Sequence, residues 1–248
     1  MFQNRISQTH RRIIIYSVGL LMVALALWLQ IPTNVSAAIA CQGSGAFFAG
    51  TQPINQQLYG VRANITVRNP YLCTTPNSPW SASFAWVMIA NNARTGYAQA
   101  GYVKMYGNSQ SYTFSEYDQD LNNPPSFTRK VFSAASGSPL YKVLYSKATG
   151  KLSMYSDSTY LDVTNFDPTI AWGPASTWNP QYEGETHDNG DDIPGTMGSQ
   201  VYFQNMSIKT SVNYDTWSAP VSSVMTIDPL YRYSVVQDNS SQIRIWTK

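Results

Sequence analysis

The sequence predicts an all-β protein, an antiparallel two-sheet β-sandwich of the concanavalin or jelly-roll type. Three observations carry this expectation. Past the N-terminal segment, no long stretch repeats apolar residues at helical spacing. Short alternating runs rich in aromatic and β-branched residues follow one another instead. Clusters of Asn, Asp, Gly and Pro separate those runs at regular intervals, as the turns of a sandwich require.

The first element is a secretory signal over residues 1–37. Arg5, Arg11 and Arg12 form a basic start, Ile13 to Leu29 an apolar run, and Val35-Ser36-Ala37 a small-x-small cleavage site. The apolar run is nearly long enough to span a bilayer, so a retained anchor is an alternative. Ala38-Ile39-Ala40-Cys41 raises a second alternative, lipidation of Cys41. The expected organisation is then a sandwich domain over 38–214 and a C-terminal extension over 215–248 ending in a hairpin. Strands are expected at 59–66, 83–89, 98–105, 111–117, 141–146, 151–156, 181–186, 201–210, 231–236 and 242–247. Asn91-Asn92, Gly107-Asn108, Asn122-Asn123-Pro124-Pro125, Lys147-Ala148-Thr149-Gly150 and Asp188-Asn189-Gly190 mark turns between them. The stretch 215–228 is the loosest.

Composition narrows the function classes. Removing the three signal arginines from the 16 basic residues leaves 13 against 14 acidic, a net charge of −1. That charge calls for no nucleic-acid or polyanion partner. Charged residues are only 12% of the chain, which fits a secreted monomer with a polar, uncharged surface and no membrane contact after signal removal. Cys41 and Cys73 are the only cysteines. In an exported chain they are expected to form one disulfide. With one mature histidine they cannot make a standard zinc site.

The chain has three glutamates, and two of them fall in Tyr182-Glu183-Gly184-Glu185-Thr186-His187-Asp188, together with the only histidine of the mature chain. On a strand, Glu183, Glu185 and His187 share one face. Carboxylates that close raise each other's pKa, which suits acid–base chemistry. A serine triad would have to use His187, and no Gly-x-Ser-x-Gly elbow is present. Asp188-Asn189-Gly190-Asp191-Asp192 reads as an Asx-rich turn and lacks the full calcium ligand set of an EF-hand. Two catalytic readings remain. One is a glycosidase pair, Glu183 with Glu185. The other is a glutamate base working with a glutamine amide, Gln99 in Gln99-Ala100-Gly101-Tyr102, which needs no metal or other cofactor.

The order of several segments resembles the neprosin family of secreted β-sandwich glutamic peptidases. These are Gly60-Val61-Arg62-Ala63-Asn64-Ile65, Trp86-Val87 followed by Gln99-Ala100-Gly101-Tyr102, Lys151-Leu152-Ser153-Met154-Tyr155, Gly184-Glu185, and Thr196-Met197-Gly198-Ser199 before Tyr202-Phe203-Gln204-Asn205. The resemblance implies that Glu185 stands at one catalytic glutamate and Gln99 where the family keeps the other. A Gln–Glu pair on a similar sandwich, with Gln-x-Gly after a Trp-Val strand, also resembles the eqolisins. The family's mid-domain cysteines and N-terminal activation domain have no counterpart, since only about 20 residues separate the signal from the first expected strand.

The function expected from the sequence is a secreted glutamic endopeptidase active at acid pH. Glu185 activates water and Gln99 stabilises the oxyanion. The pair is expected on adjacent strands of one concave face, with side chains about 3–6 Å apart and sharing a water. Glu183, His187, Tyr97, Tyr102, Trp172, Trp178 and Tyr182 are candidate binding residues for an extended polypeptide or polysaccharide. The alternatives are a carbohydrate- or peptide-binding module without catalysis and the Glu183–Glu185 glycosidase.

Overall fold

A computed structural model describes residues 41, 44–54, 57–73, 81–123, 126–220, 223–228 and 231–248. The expected signal segment lies outside the described residues. Among the described residues, no helix is long and apolar enough to cross a membrane.

The strands are β1 (Ser44–Pro53), β2 (Gly60–Ile65), β3 (Ala82–Ala90), β4 (Tyr97–Met105), β5 (Tyr112–Asp118), β6 (Thr128–Ala134), β7 (Leu140–Ser146), β8 (Lys151–Ser156), β9 (Thr159–Val163), β10 (Asn179–Asp188), β11 (Val201–Lys209), β12 (Ser223–Ile227), β13 (Tyr233–Asn239) and β14 (Gln242–Thr247). They form two seven-stranded sheets, ordered β12-β1-β10-β3-β4-β5-β6 and β13-β14-β11-β2-β7-β8-β9. Every ladder between them is antiparallel. The expected all-β, two-sheet fold is the one observed.

The main core lies between the sheets. Ala85, Val87 and Ile89 of β3, Ala98, Ala100 and Tyr102 of β4, and Tyr182 of β10 pack in it with Val61, Ala63 and Ile65 of β2 and Tyr141 and Val143 of β7. Alternation sends the other half of β3 outward, where Phe84 and Trp86 join Val103 and Phe114 in a second, smaller cluster. Burial on both faces explains why β3 reads as an almost unbroken apolar run.

Four strands escaped the sequence pattern. β1 carries Gly, Ala and Pro, β6 and β9 are edges, and β12 falls in the stretch that reads as loose. β6, β9 and β12 carry Val, Thr, Ile, Phe or Tyr but are short edge runs, whereas β1 relies on its ladder partners β10 and β12. The first strand therefore begins at Ser44, well before the expected position. A short helix α1 (Pro168–Ala171) was also unmarked by periodicity, although Asp167 caps it by accepting from the Thr169 N–H and proline opens it. At the C-terminal end, β13 and β14 form the expected hairpin beside β11, while β12 adds to the other sheet.

The disulfide pairs Cys41 with Cys73. The Asp188–Asp192 turn is built around it. Asp188 Oδ1 accepts from the Gly190 N–H at 2.7 Å, and Asp191 Oδ1 accepts from the Cys73 N–H at 2.7 Å. Asp192 pairs with Arg232.

Candidate active site

The outward side chains of the first sheet fall into rows, because residues opposite one another in antiparallel ladders share a face. In one row, Met88 lies between Gln181 and Gln99, and Gln99 is followed by Glu116 and Arg129. In the next, Trp86 lies between Glu183 and Gly101, and Glu183 is followed by Gly50 and Thr226. In the third, Phe84 lies opposite Glu185, and Glu185 opposite Phe48. These rows enclose a groove of about 450 Å³, lined among others by Gln52, Met88, Tyr97, Gln99, Glu183 and Glu185. The full set of glutamates, Glu116, Glu183 and Glu185, thus sits on one face of one sheet.

The two carboxylates of β10 turn to opposite sides. Glu183 reaches over Gly50 towards the β1–β12 edge, where Oε1 accepts from Gln52 Nε2 at 2.9 Å and Thr226 adds a side-chain hydrogen bond. Gly50 makes this seat: a Cβ there would stand 2.6 Å from Glu183 Cγ and 2.1 Å from the Tyr182 carbonyl oxygen. Glu183 is only 2% exposed. Burial pushes its carboxyl up to about 7, with the neighbouring Glu185 charge adding to the rise.

Glu185 turns the other way. Its Oε2 accepts from Trp86 Nε1 at 3.0 Å, and its Oε1 bonds His187 Nε2 at 3.0 Å. The His187 ring packs against Phe84 with centroids 5.0 Å apart. The Glu185 charge also reaches β4 and β5. It contributes, after burial, to raising the Tyr97 hydroxyl and the Glu116 carboxyl.

On the far side of Trp86 and Met88, Gln99 Nε2 donates to Glu116 Oε1 at 3.1 Å. Tyr97 donates its hydroxyl to the same oxygen, and Arg129 Nε pairs with Oε2. This arrangement offers carboxylates on one flank and an amide on the other, with Met88 lining the groove between them and Trp86 buried beneath it.

Solved structures share this architecture. A structure of scytalido-glutamic peptidase with a peptide-based transition-state analogue superposes with a TM-score of 0.57 at 13% identity, covering 83% of this chain and 100% of that chain. SCP-B, a member of the eqolisin family of peptidases solved with the tripeptide Ala-Ile-His, gives a TM-score of 0.57 at 12% identity over 83% and 100% of the two chains. The fold is glutamic peptidase-like. No protein-family model and no curated protein matches the sequence.

Within this glutamic peptidase-like sheet, several expectations about the site change. Gln99 and Glu185 share a face but not adjacent strands, because β3 lies between β4 and β10. They also lie in different rows, opposite Met88 and Phe84 of β3, so two strand spacings and four residues of rise place their backbones about 15 Å apart. Sequence order gives no access to this, since β10 returns to the free edge of β3 from far along the chain, Glu183 lying 97 residues after its partner Trp86, while the hairpin already supplies β4 on the other edge.

Among the binding candidates, Tyr97 and Glu183 line the groove, and His187 supports it through Glu185. Tyr102, Trp178 and Tyr182 belong to the core between the sheets and are fully buried. Their polar atoms are spent there: Tyr102 OH donates to the Thr66 carbonyl, Tyr182 OH to Ser207 and Trp178 Nε1 to Gly173. Strand parity explains Tyr102 and Tyr182, which point inward from strands whose alternate residues face the groove, whereas Trp178 ends the short 3-10 turn before β10 and packs on Tyr145 and Trp172. Trp172 packs against Phe166 and Trp178 and donates to the Gln119 carbonyl, so it too is structural.

Trp86, Glu116, Gln52 and Arg129 are site residues that the sequence reading did not single out as such. The rarity of glutamate was a signal that could have found Glu116. Gln52 and Arg129 sit on β1 and β6, two of the strands the pattern missed.

Proposed function

We propose that this protein is a secreted glutamic-type endopeptidase. The observation that carries this reading is the groove lined by Gln99 on one flank and the Glu183–Glu185 pair on the other. Glutamic peptidase chemistry needs a base for water, a donor for the oxyanion and a proton source for the leaving amine. Glu185 is the base, turned by Trp86 and His187 to the side of the groove that faces Gln99. Gln99 donates a hydrogen bond to the oxyanion. Glu185 takes the proton of the attacking water and hands it on to the leaving amine, while Glu183, raised to about 7 by burial, stays protonated through the acid range and adds no charge beside it. An extended polypeptide crossing β3 over Trp86 and Met88 would meet the base on one side and the amide on the other. The disulfide fits an oxidising, extracellular setting. The likeness to eqolisin folds supports the Gln–Glu assignment at the level of architecture, and the neprosin resemblance rests on sequence segments alone.

The glycosidase alternative asks Glu183 and Glu185 to flank one bond. Their hydrogen bonds draw them apart, to Gln52 on one side and Trp86 on the other, so the peptidase reading is preferred. The test is to incubate the mature protein with an unstructured protein and a polysaccharide panel, from acid to neutral pH, with Glu185→Gln as control. Peptide fragments from the wild type alone, insensitive to chelator, support the reading. Glycan retention or sugar release without peptide fragments overturns it.

A further inference from the structure

Gln99 presents a problem that its own side chain cannot solve. A carboxamide has an acceptor end and a donor end of nearly equal size, and only the donor end can serve an oxyanion. What distinguishes the two ends is the neighbour. Glu116 lies directly across the β4–β5 ladder from Gln99 and is 3% exposed. Three donors converge on it. Gln99 Nε2 and the Tyr97 hydroxyl reach Oε1, and Arg129 Nε reaches Oε2 from the adjoining strand β6. Arg129 is itself seated, with its guanidinium over Phe84 at 5.0 Å and Phe127 at 5.3 Å. A carboxylate surrounded in this way is acceptor-only, so it can receive the nitrogen of Gln99 and not the oxygen. One of the two Nε2 hydrogens is spent on Glu116, and the second stays available to the groove.

We propose that Glu116 is the positioning residue for Gln99, fixing the carboxamide with its N–H groups towards the reaction site, and that Arg129 and Tyr97 keep Glu116 in the acceptor-only form this requires. The proposal rests on the role given to Gln99 above. It extends the site from the groove surface into a buried chain across three strands, Gln99 on β4, Glu116 on β5 and Arg129 on β6.

The charged and titratable groups facing Glu116 are Arg129 from β6, Tyr97 from β4 and, across the groove, Glu185 from β10. Burial pushes the Glu116 carboxyl up, Arg129 and Tyr97 pull it down, and Glu185 adds to the rise. Without Arg129 the carboxyl takes up its proton at higher pH. A protonated Glu116 has an O–H to donate, which suits the carboxamide oxygen and turns Gln99 around.

The test uses the full mature protein and four variants. Glu116→Gln keeps the shape but loses the acceptor-only character, so kcat is expected to fall about 10²-fold with KM within about twofold, as when one oxyanion donor is withdrawn. Tyr97→Phe, which removes one donor and little volume, is expected to move kcat in the same direction by a few-fold, about 2–5 times. Arg129→Met is expected to lose activity at the acid end of the profile and to recover as pH rises. A purely structural role would lower folded protein and activity together at every pH. Nuclear magnetic resonance of the Gln99 side-chain amide, assigned by its disappearance in Gln99→Ala, reads the orientation without any need for turnover. One exchange-protected proton in the wild type and its loss in Glu116→Gln support the proposal. An unchanged Gln99 amide signal in Glu116→Gln overturns it, as does wild-type kcat in that variant when the wild type is active. A wild type that cleaves no peptide overturns the peptidase reading, and the amide signal still decides the positioning.

Discussion

Trp86 faces Glu183 across the β3–β10 ladder, yet its indole nitrogen bonds Glu185, the next outward carboxylate along β10, at 3.0 Å. The bond is diagonal. It draws Glu185 towards β3 and β4 and leaves Glu183 to the opposite edge, so two acids on one strand acquire different surroundings. Trp86→Phe removes this donor and keeps an aromatic floor. A hydrogen bond to a charged group contributes about 1.5–3 kcal/mol, so kcat/KM is expected to fall roughly 10- to 100-fold while the far-ultraviolet spectrum stays that of a β protein. Unchanged kcat/KM would show that the contact does not serve the reaction.

Glu185→Gln is expected to abolish turnover and leave the thermal unfolding midpoint close to that of the wild type, because the amide can still accept from Trp86. Gln99→Ala should retain weak activity, reduced about 10²–10³-fold. Gln99→Glu should keep activity only at low pH, where one of the two acids remains protonated. Steady-state kinetics on one peptide substrate checks all three, and a Glu185→Gln variant as active as the wild type would remove the base from Glu185.

Stability should fall as pH rises from the acid range towards neutrality. The Glu183 carboxyl lies near 7 in the folded chain against 4.5 for an ordinary glutamate. Between those values the native state holds a proton that the unfolded chain has released, so stability is highest below the window and is lost across it. For a side chain buried this deeply the loss is about 3 kcal/mol. Asp191, raised from 3.8 to about 6 mainly by burial, acts with the same sign over a lower window. Urea midpoints below and above the window should differ in the wild type and differ much less in Glu183→Gln. Equal slopes in the two proteins would refute the assignment.

The Cys41–Cys73 bridge closes a separation of 32 residues. Loop-closure entropy gives it about 3–4 kcal/mol. A Cys41→Ser/Cys73→Ser variant should show a clearly lower unfolding midpoint, equal to that of the reduced wild type. Mass mapping without reductant should recover the two cysteines in one linked peptide pair.

Gly50→Ala tests the seat of Glu183. The added methyl carbon would stand 2.1 Å from a backbone oxygen that cannot move aside alone. Overpacking of this kind costs about 1–3 kcal/mol or more. The variant should unfold earlier and lose the pH dependence of stability that Glu183 confers. A midpoint equal to that of the wild type would show that β1 and β10 can part without cost.

What the sequence determined by itself was local and periodic. Short apolar or alternating runs at residues 83–89, 98–105 and 181–186 marked strands, and parity along β10 put Glu183, Glu185 and His187 on one face and Tyr182 and Thr186 on the other. The scarcity of glutamate and the two cysteines pointed to the site and the bridge. Tertiary structure decided which strands are neighbours and which face of each is the groove. Those depend on pairings between segments far apart in the chain, whose closure leaves no periodic mark in either partner. Hence β1, broken by glycines, and β12, in a stretch that reads as loose, became the wall beside Glu183, and Tyr102, Trp178 and Tyr182 went to the core. Hence also Glu116, unremarkable between Ser115 and Tyr117, became the buried acceptor beneath Gln99, because β4, β5 and β6 align Gln99, Glu116 and Arg129 in one row.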